Sequence, residues 1–375
     1  MSSLTGYGNV SLTDAPVTLN ATETNYGNIF LNGTNTSAAL SSMETVLFAC
    51  FYFLICVFAT FGNLLVLAAI ARNRCLQTPS NYLLANLAIT DSLQGMISIP
   101  LRIAELLLAT SNITLLCQIS IPISTIFGST SNITILFISI ERFVAILFPY
   151  FYYSAVTPNT IFVTIAGGWT CTVILGLLPS LGWGGIVPAT EQALCRFPSF
   201  LTRQYITTLF IIVHFIPITT VICLYGFILR ASLRHSRRIH VQEQCLQKGL
   251  STPHESTFTE NSAISTMNQE KNAAIKRSYK QQKAARMVAI LVGMFIVLVV
   301  PIILIDLIEM VGGPSAPSPV IKITICMIYA NHCINVFIYA GCNRDYKRAF
   351  KVIISSILNF LKGLLCRKHC FQNIK

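Results

Sequence analysis

Ionisable side chains stand inside long apolar stretches of this 375-residue chain. Asp91 lies in the middle of one stretch, LANLAITDSL, while Glu141 and Arg142 close another. A charged group surrounded by hydrocarbon is energetically costly, so it usually has a partner inside the protein and marks a functional site. The sequence contains no metal-ligand cluster, phosphate-binding glycine loop or nucleophile constellation. These residues therefore predict ion pairing, binding or signalling, and they disfavour an enzyme.

Seven apolar runs supply the elements that must position these residues. A helix needs about 20 apolar residues to cross a bilayer. Hydrophobic residues make up 53% of the chain and charged residues only 11%, against about 25% charged in a soluble domain. We therefore predict an all-α membrane protein, a bundle of seven transmembrane helices (45–341) with an amphipathic membrane-surface helix after it. The spans lie at about 45–71, 81–109, 115–148, 160–182, 204–231, 284–311 and 320–341.

The net charge of +12 has three common explanations: nucleic acid, anionic lipid or membrane topology. Mapped onto the seven spans, 22 of the 26 Lys and Arg residues fall on one side of the membrane. Basic loops stay in the cytoplasm, so the N-terminus is predicted to be extracellular and the tail cytoplasmic, in a multi-pass plasma-membrane protein. The charge thus records orientation, and we expect no nucleic-acid partner.

Residues 1–44 are predicted to be a glycosylated extracellular N-terminus. The segment has no basic start followed by an apolar run, so it is not a cleavable signal peptide, and the first span would direct insertion. Glycosylation sequons begin at Asn9, Asn20, Asn32 and Asn35.

The cysteine positions give an independent check on this topology. Only Cys117 and Cys195 fall on the predicted outer side, which is oxidising, so these two are expected to form a disulfide. Near the C-terminus, Cys366 and Cys370 follow an amphipathic stretch and basic residues. They are candidates for palmitoylation, and the alternative is that they are idle thiols.

Landmark residues follow one another through the spans in a fixed order. They are Asn63 in GNLLVL, Asp91, Glu141-Arg142-Phe143, Trp169, Pro217 with Tyr225, Pro301, and NVFIY at Asn335–Tyr339. This order, together with a cysteine 25 residues before Arg142, resembles the rhodopsin-like (class A) G-protein-coupled receptors over residues 45–365. Each landmark alone is weak, but the ordered set is specific.

The resemblance implies a switch at the face that meets a heterotrimeric G protein. Glu141, Arg142 and Phe143 match the family's acid–arginine–aromatic motif, in which the acid holds the arginine until activation. Tyr225 and Tyr339 match two tyrosines that meet this arginine in active receptors. A guanidinium with two alternative sets of partners can be shifted between them by a ligand.

The resemblance also implies a polar site in the middle of the bundle. Asp91, Ser131, Asn331 and Asn335 match positions that surround a sodium ion in many relatives, and a carboxylate with three neutral oxygens suits such a cation. The alternative is a water-filled hydrogen-bond network with a protonated Asp91. No other cofactor is expected.

Four positions depart from the family pattern. Val336 replaces the seventh-span proline, Val299 replaces the sixth-span tryptophan, and Gln281 stands where an acid often pairs with the motif arginine. His332 replaces a small residue beside the sodium site. We interpret these changes as weakening the contacts that hold such a receptor in its inactive state, and we predict raised basal signalling.

The ligand is harder to predict. Ser124 occupies the position at which amine receptors carry an aspartate, and Tyr329 that of the retinal lysine in opsins, so both classes are disfavoured. The motif LPSLGWGG (178–185), with Pro100, resembles adenosine receptors, and Phe197 matches their purine-stacking aromatic residue. Their other main ligand contacts are replaced, so we favour a relative of that group with another ligand.

An extracellular small-molecule ligand is expected in an apolar cavity between the outer halves of the third, fifth, sixth and seventh spans. Arg102 and Glu105, spaced i and i+3, are expected to pair with each other rather than with a ligand. A counter-ion for an amine would return if Asp306 or Glu309 faced the cavity. The candidate ligand contacts are Ser124, Thr125, Gly128, Phe197, His214, Asp306 and Tyr329.

Two cytoplasmic segments complete the prediction. Residues 232–282 form a polar third loop, flexible in its middle and helical at both ends, whose basic flanks would contact the G protein and anionic lipid. Residues 342–375 form an amphipathic helix on the inner leaflet and a tail. A decoy-like receptor that no longer couples is the rival function, and a transporter is disfavoured because no internal repeat occurs.

Overall fold

The computed structural model describes the backbone of residues 43–107, 113–185, 200–231 and 261–372. It describes the side chains of these ranges apart from 113–114, 261–282, 284–285, 361 and 364–372. Predictions for Asn9, Asn20, Asn32, Asn35, Cys195, Phe197 and the thiols of Cys366 and Cys370 therefore lie outside the described residues. The chain divides into two units, Met1–Leu47 and Phe48–Lys375, and the bundle belongs to the second.

Eight long helices account for most of the described chain. Six of the described helices, α1 and α3–α7, have a length and apolar composition that could cross a membrane. The seventh is α2, which contains Asp91, Arg102 and Glu105, and α8 follows the bundle, so the predicted all-α, seven-helix fold is confirmed. The helices are α1 (Met43–Arg72), α2 (79–107), α3 (Ile113–Leu147), α4 (Pro158–Leu177), α5 (Arg203–Ala231), α6 (Asn261–Met310), α7 (Ser318–Cys342) and α8 (Arg344–Gln372).

Threonine caps begin three of these helices. The side chains of Thr78, Thr157 and Thr202 each accept a hydrogen bond from the backbone N–H three residues later. A capping oxygen satisfies one of the amides that lack a partner in the first turn of a helix. In α2 and α4 a proline follows the cap, where its missing N–H costs nothing.

Prolines also explain two irregular turns. A proline has no N–H for the carbonyl four residues earlier, so the preceding turn loosens. In α2, the segment Gln94–Ser98 forms one π-helical turn before Pro100. In α5, Phe210–Phe215 does the same before Pro217. The first of these turns buries Gln94 in the bundle, and Gln94 lines the cavity described below.

Two helix ends can be compared with the prediction. Asn261 begins α6, so the predicted loop 232–282 is helical at its second end, as predicted, and residues 261–283 contain no glycine or proline that would disfavour a helix. Helix α4 ends at Leu177 rather than near 182, since Pro179 disfavours helix at the residue before it. The LPSLGWGG motif is a turn in which Gly182 and Gly184 take positive φ angles of 96° and 93°.

Polar groups face the inside of the bundle and large apolar groups face outward. Buried polar side chains include Asn63, Asp91, Ser131 and Asn335. This is the reverse of a water-soluble protein and matches a surface solvated by lipid. Exposed apolar residues occur on most of the helices, among them Phe53, Val163, Phe227, Val297 and Phe337.

Helix α8 docks on the bundle through one face. The ring of Tyr346 stacks on Tyr339 with centroids 5.5 Å apart, and its hydroxyl donates a hydrogen bond to Asn81 at 3.2 Å. Phe350 and Ile353 are buried beside it, whereas Ile354, Ile357 and Leu358 are exposed. The exposed apolar face supports the prediction that this helix lies on a membrane surface.

A hydrogen-bonded trio joins α2, α3 and α4. Asn86 donates from its amide to the hydroxyl of Thr134 at 2.8 Å and accepts from the indole N–H of Trp169 at 2.9 Å. The family landmark Trp169 is therefore held by a side chain of α2. Interhelical hydrogen bonds of this kind average about 0.6 kcal/mol and reach about 1.7 kcal/mol.

We predict that Asn86→Ala lowers the free energy of unfolding by about 1–2 kcal/mol, because both bonds are lost and the indole N–H of Trp169 loses its acceptor. Thermal unfolding of the purified protein in detergent measures the change. Thr170→Ala is the control, since this exposed hydroxyl bonds only within α4, to the carbonyl of Ala166. Equal melting temperatures for Asn86→Ala and Thr170→Ala would contradict the prediction.

Candidate functional site

Arg142 is held at the end of α3 by two neighbouring side chains. Its Nε donates to Glu141 Oε2 and its Nη2 to Glu141 Oε1, both at 2.5 Å. Nη2 also contacts the hydroxyl of Ser80 at the start of α2. Ser80 in turn donates to Glu141 Oε1 at 2.7 Å. The guanidinium is thus fixed by a fork of the kind that stabilises buried charge pairs.

Tyr152 adds a second donor to the same carboxylate. This tyrosine belongs to the short helix Pro149–Ala155, and its hydroxyl donates to Glu141 Oε1 at 2.6 Å. Partial burial, together with the negative charge of Glu141, raises the pKa of Tyr152 to about 12. The phenol therefore stays protonated at neutral pH and can donate this hydrogen bond. We call Glu141, Arg142, Ser80 and Tyr152 the arginine clamp.

Tyr225 and Tyr339, the predicted partners of the active arginine, do not contact Arg142 through hydrogen bonds here. Their hydroxyl oxygens are buried and have no hydrogen-bond partner among the described protein atoms. The third residue of the motif, Phe143, packs against Phe148 and Phe227 with ring centroids 5.9 and 6.2 Å away. Arg142 is therefore hydrogen-bonded to Glu141 and not to Tyr225 or Tyr339.

Asp91 is completely buried in the middle of the bundle. Its Oδ1 accepts from the hydroxyl of Ser131 at 3.2 Å and lies 2.7 Å from the ring Nδ1 of His332. Its Oδ2 accepts from the amide of Asn335 at 2.8 Å. Asn331 is buried nearby and lines the cavity above. These side chains form a hydrogen-bond network, and the predicted sodium ion stays a prediction.

A cavity of about 180 Å³ opens between α2, α3, α5, α6 and α7. It is smaller than the roughly 300–1,000 Å³ of sites for drug-sized ligands. Ile121, Leu209, Val299, Ile302 and Leu307 provide apolar lining. All the predicted ligand contacts among the described residues line it: Ser124, Thr125, Gly128, His214, Asp306 and Tyr329.

The structure separates Asp306 and Glu309, the two acids in the last turns of α6. Asp306 lines the cavity. Glu309 instead accepts from the hydroxyl of Ser315 at 2.8 Å and from the backbone N–H of Ala316 at 3.3 Å. His214 lies 3.2 Å from the amide nitrogen of Asn132 through its Nδ1. As expected for a histidine on an apolar helix, His214 has a partner inside the bundle.

Arg102 and Glu105 do pair, with 2.5 Å between Nη1 and Oε2, and Ser120 donates to the same carboxyl group. Both charged residues are buried, and both also line the cavity. Our sequence prediction treated pairing and a place in the site as alternatives, whereas the structure shows both. Two opposite charges spaced i and i+3 within a predicted span indicate a side of the helix that faces the bundle interior. This spacing could have predicted that Arg102 and Glu105 line the cavity.

Sequence reasoning missed Ser80, Tyr152, Gln94 and Asn132, which have no charge and no motif. Only the packing of α2 and the Pro149–Ala155 helix against α3 brings Ser80 and Tyr152 to Glu141. Cys117 is buried and disulfide-bonded at the cavity end of α3. Its predicted partner Cys195 lies outside the described residues, so that pairing stays a prediction.

A bundle of seven apolar helices with an arginine clamp at one end and a cavity at the other defines a receptor. The family model described as "7 transmembrane receptor (rhodopsin family)" matches residues 62–339. The chain belongs to this family. Its members and the relatives below are receptors and not enzymes, as the sequence predicted.

Similar proteins include the octopamine receptor beta-2R of Chilo suppressalis, 26% identical over 88% of this chain and 85% of that receptor. The D(1A) dopamine receptor of Didelphis virginiana is 25% identical, over 82% of this chain and 73% of that receptor. The alpha-1A adrenergic receptor of Oryzias latipes is 24% identical, over 84% of this chain and 68% of that receptor. None of these three is an adenosine receptor, so they lend no support to that resemblance.

We expect Glu105→Ala to destabilise the protein by about 3–5 kcal/mol, because it leaves the Arg102 charge buried without its partner. The double variant Arg102→Leu/Glu105→Leu removes both charges and should recover most of the loss. Melting temperatures in detergent and surface expression compare the two. A double variant as unstable as Glu105→Ala would show that the loss does not come from the unpaired charge.

Proposed function

We propose that this chain is a plasma-membrane receptor that binds a small extracellular ligand in the cavity and activates a heterotrimeric G protein. The observation that carries the proposal is the arginine clamp at the opposite end of the bundle from the cavity. Family membership and the placement of Glu141, Arg142, Tyr225 and Tyr339 support it. The basic inner loops support an extracellular N-terminus and a cytoplasmic tail.

The proposed switch moves Arg142 from one set of partners to another. In the clamp its donors are satisfied by Glu141 and Ser80. The buried hydroxyls of Tyr225 and Tyr339 lack partners among the described atoms, which costs about 1–3 kcal/mol for each such group. Moving the guanidinium to the tyrosines would give their hydroxyl oxygens a donor in exchange for the clamp contacts, and would open the G-protein face. A ligand would act by binding the second state more tightly.

Raised basal activity fits the position of the clamp. The hydrogen bonds described for Arg142 go to α2 and α3, and the clamp's further contact comes from the Pro149–Ala155 helix. None of these bonds reaches α6, and the side chain of Gln281 lies outside the described residues. The described contacts of the clamp therefore hold the arginine without a bond to α6.

Cells expressing the chain without ligand should show G-protein activation above empty-vector controls, measured as nucleotide exchange across the G-protein classes. Arg142→Gln should return the signal to the control level at equal surface expression. Tyr153→Phe is the matched control, because this exposed ring contacts Tyr152 but lies outside the clamp. Signals equal to empty vector for every class would refute raised basal activity. If agonists also failed, the non-coupling alternative would be favoured.

For the ligand we propose a small amine-bearing molecule. The charged groups that line the cavity among the described residues are Arg102, Glu105 and Asp306. The first two form an ion pair with each other, and Asp306 adds a carboxylate on α6 to the cavity lining. Ser124 lies where amine receptors carry their aspartate, and Asp306 on α6 would supply the counter-ion instead. Relatives named for dopamine and octopamine agree with this class.

A nucleoside ligand is the second candidate, favoured in the sequence by the LPSLGWGG motif, Pro100 and Phe197. The structure explains that motif without a ligand. The backbone N–H of Trp183 donates to the carbonyl of Leu178 at 3.0 Å, and the Trp183 ring packs on Tyr205. The two glycines supply the positive φ angles of the turn. The motif therefore ends α4 and positions the start of α5.

A panel of small amines, nucleosides and lysolipids should yield an amine agonist. Asp306→Ala should then lower its potency about tenfold or more, since each tenfold corresponds to about 1.4 kcal/mol. Glu309→Ala, on the same helix but outside the cavity lining, should leave potency unchanged. An agonist whose potency is the same in wild type and Asp306→Ala would remove Asp306 from the binding site.

A further inference from the structure

His332 makes the closest contact to the buried carboxylate of Asp91. The ring Nδ1 lies 2.7 Å from Oδ1, whereas the hydroxyl of Ser131 lies 3.2 Å from the same oxygen. The His332 side chain is only 4% exposed and Asp91 is fully buried. The two side chains therefore contact each other directly.

The ring is held in place from two further helices. The amide of Asn63 on α1 donates to the backbone carbonyl of His332 at 2.8 Å. The Nε2 atom of His332 lies 3.5 Å from the amide nitrogen of Gln94, in the π-helical turn of α2. An imidazole with its proton on Nδ1 satisfies both ring contacts, since it donates to Asp91 and accepts from Gln94. The position of the ring is thus built into the fold.

The groups around Asp91 do not fit a sodium ion. A hard cation needs oxygen atoms that direct lone pairs toward it. Here Ser131, Asn335 and His332 direct O–H and N–H donors at the two carboxylate oxygens. These hydrogens already supply the positive charge density that a cation would bring. A cation placed beside Oδ1 would meet the imidazole of His332.

We infer that the imidazole of His332 takes the place of the sodium ion, so that Asp91 has a partner from the chain itself and this site does not bind sodium. The tie between α2 and α7 then does not depend on an ion. This inference concerns a binding site inside the bundle and does not require the proposed ligand or G-protein coupling.

Thermal unfolding of the purified full-length protein in detergent tests the inference, with sodium chloride compared with choline chloride at equal concentration. The wild type should melt at the same temperature in both salts. His332→Ser restores a small side chain and should melt at a higher temperature in sodium, with a shift that saturates as sodium is raised. The double variant His332→Ser/Asp91→Asn should lose that shift. Broadening of the ²³Na resonance by His332→Ser, and not by the wild type, gives a direct readout.

A saturable, sodium-specific rise in the melting temperature of the wild type would overturn the inference. So would a folded His332→Ser variant that gains no sodium response, because the imidazole would then not be what excludes the ion. If His332→Ser does not fold, His332→Asn keeps a donor for Asp91 and leaves room beside Oδ1. It should show the same gain. Neither measurement uses an agonist or a G protein, so its failure is distinct from failure of the proposed function.

Discussion

The fold depends on the need to satisfy the carboxylate of Asp91 away from water. A charge in the middle of a membrane helix costs about 2.5–3.5 kcal/mol even by insertion measurements, so α2 cannot present this face to lipid. Partners from α3 and α7 reach the carboxylate, and α1 holds the backbone of the residue that contacts it most closely. Four helices are therefore arranged around one side chain.

The same requirement explains the other charges inside the bundle. Arg102 pairs with Glu105 one turn away, and Arg142 pairs with the preceding Glu141. Each pair is satisfied within its own helix and then completed by a hydroxyl from a neighbour, Ser120 or Ser80. Asp91 and the arginine clamp are thus two separate polar groups, and apolar side chains such as Leu84, Leu87 and Ile138 form the core around them.

The departures from the family pattern have different structural consequences. Val336 and Val299 are buried in the apolar core. Val336 stands in place of the α7 proline of the family pattern, and Val299 in place of the α6 tryptophan, so both helices keep an apolar side chain at these positions. Helix α7 consequently runs without interruption from Ser318 to Cys342. His332 is different, because it introduces a new polar contact at the centre of the bundle.

The sequence by itself determined the seven helices, the direction of the charge bias and the two local ion pairs, because these depend on hydropathy and short spacings along one chain. It also predicted part of the cavity lining, namely Ser124, Thr125, Gly128, His214, Asp306 and Tyr329. Only the tertiary structure decided that Ser80 and Tyr152 complete the arginine clamp and that Asp306, rather than Glu309, faces the cavity. It alone placed His332 on Asp91, 241 positions away. Contacts between distant segments depend on how each helix is rotated and packed. The apolar pattern of the sequence shows which side of a helix faces inward, but not which side chains on that side meet.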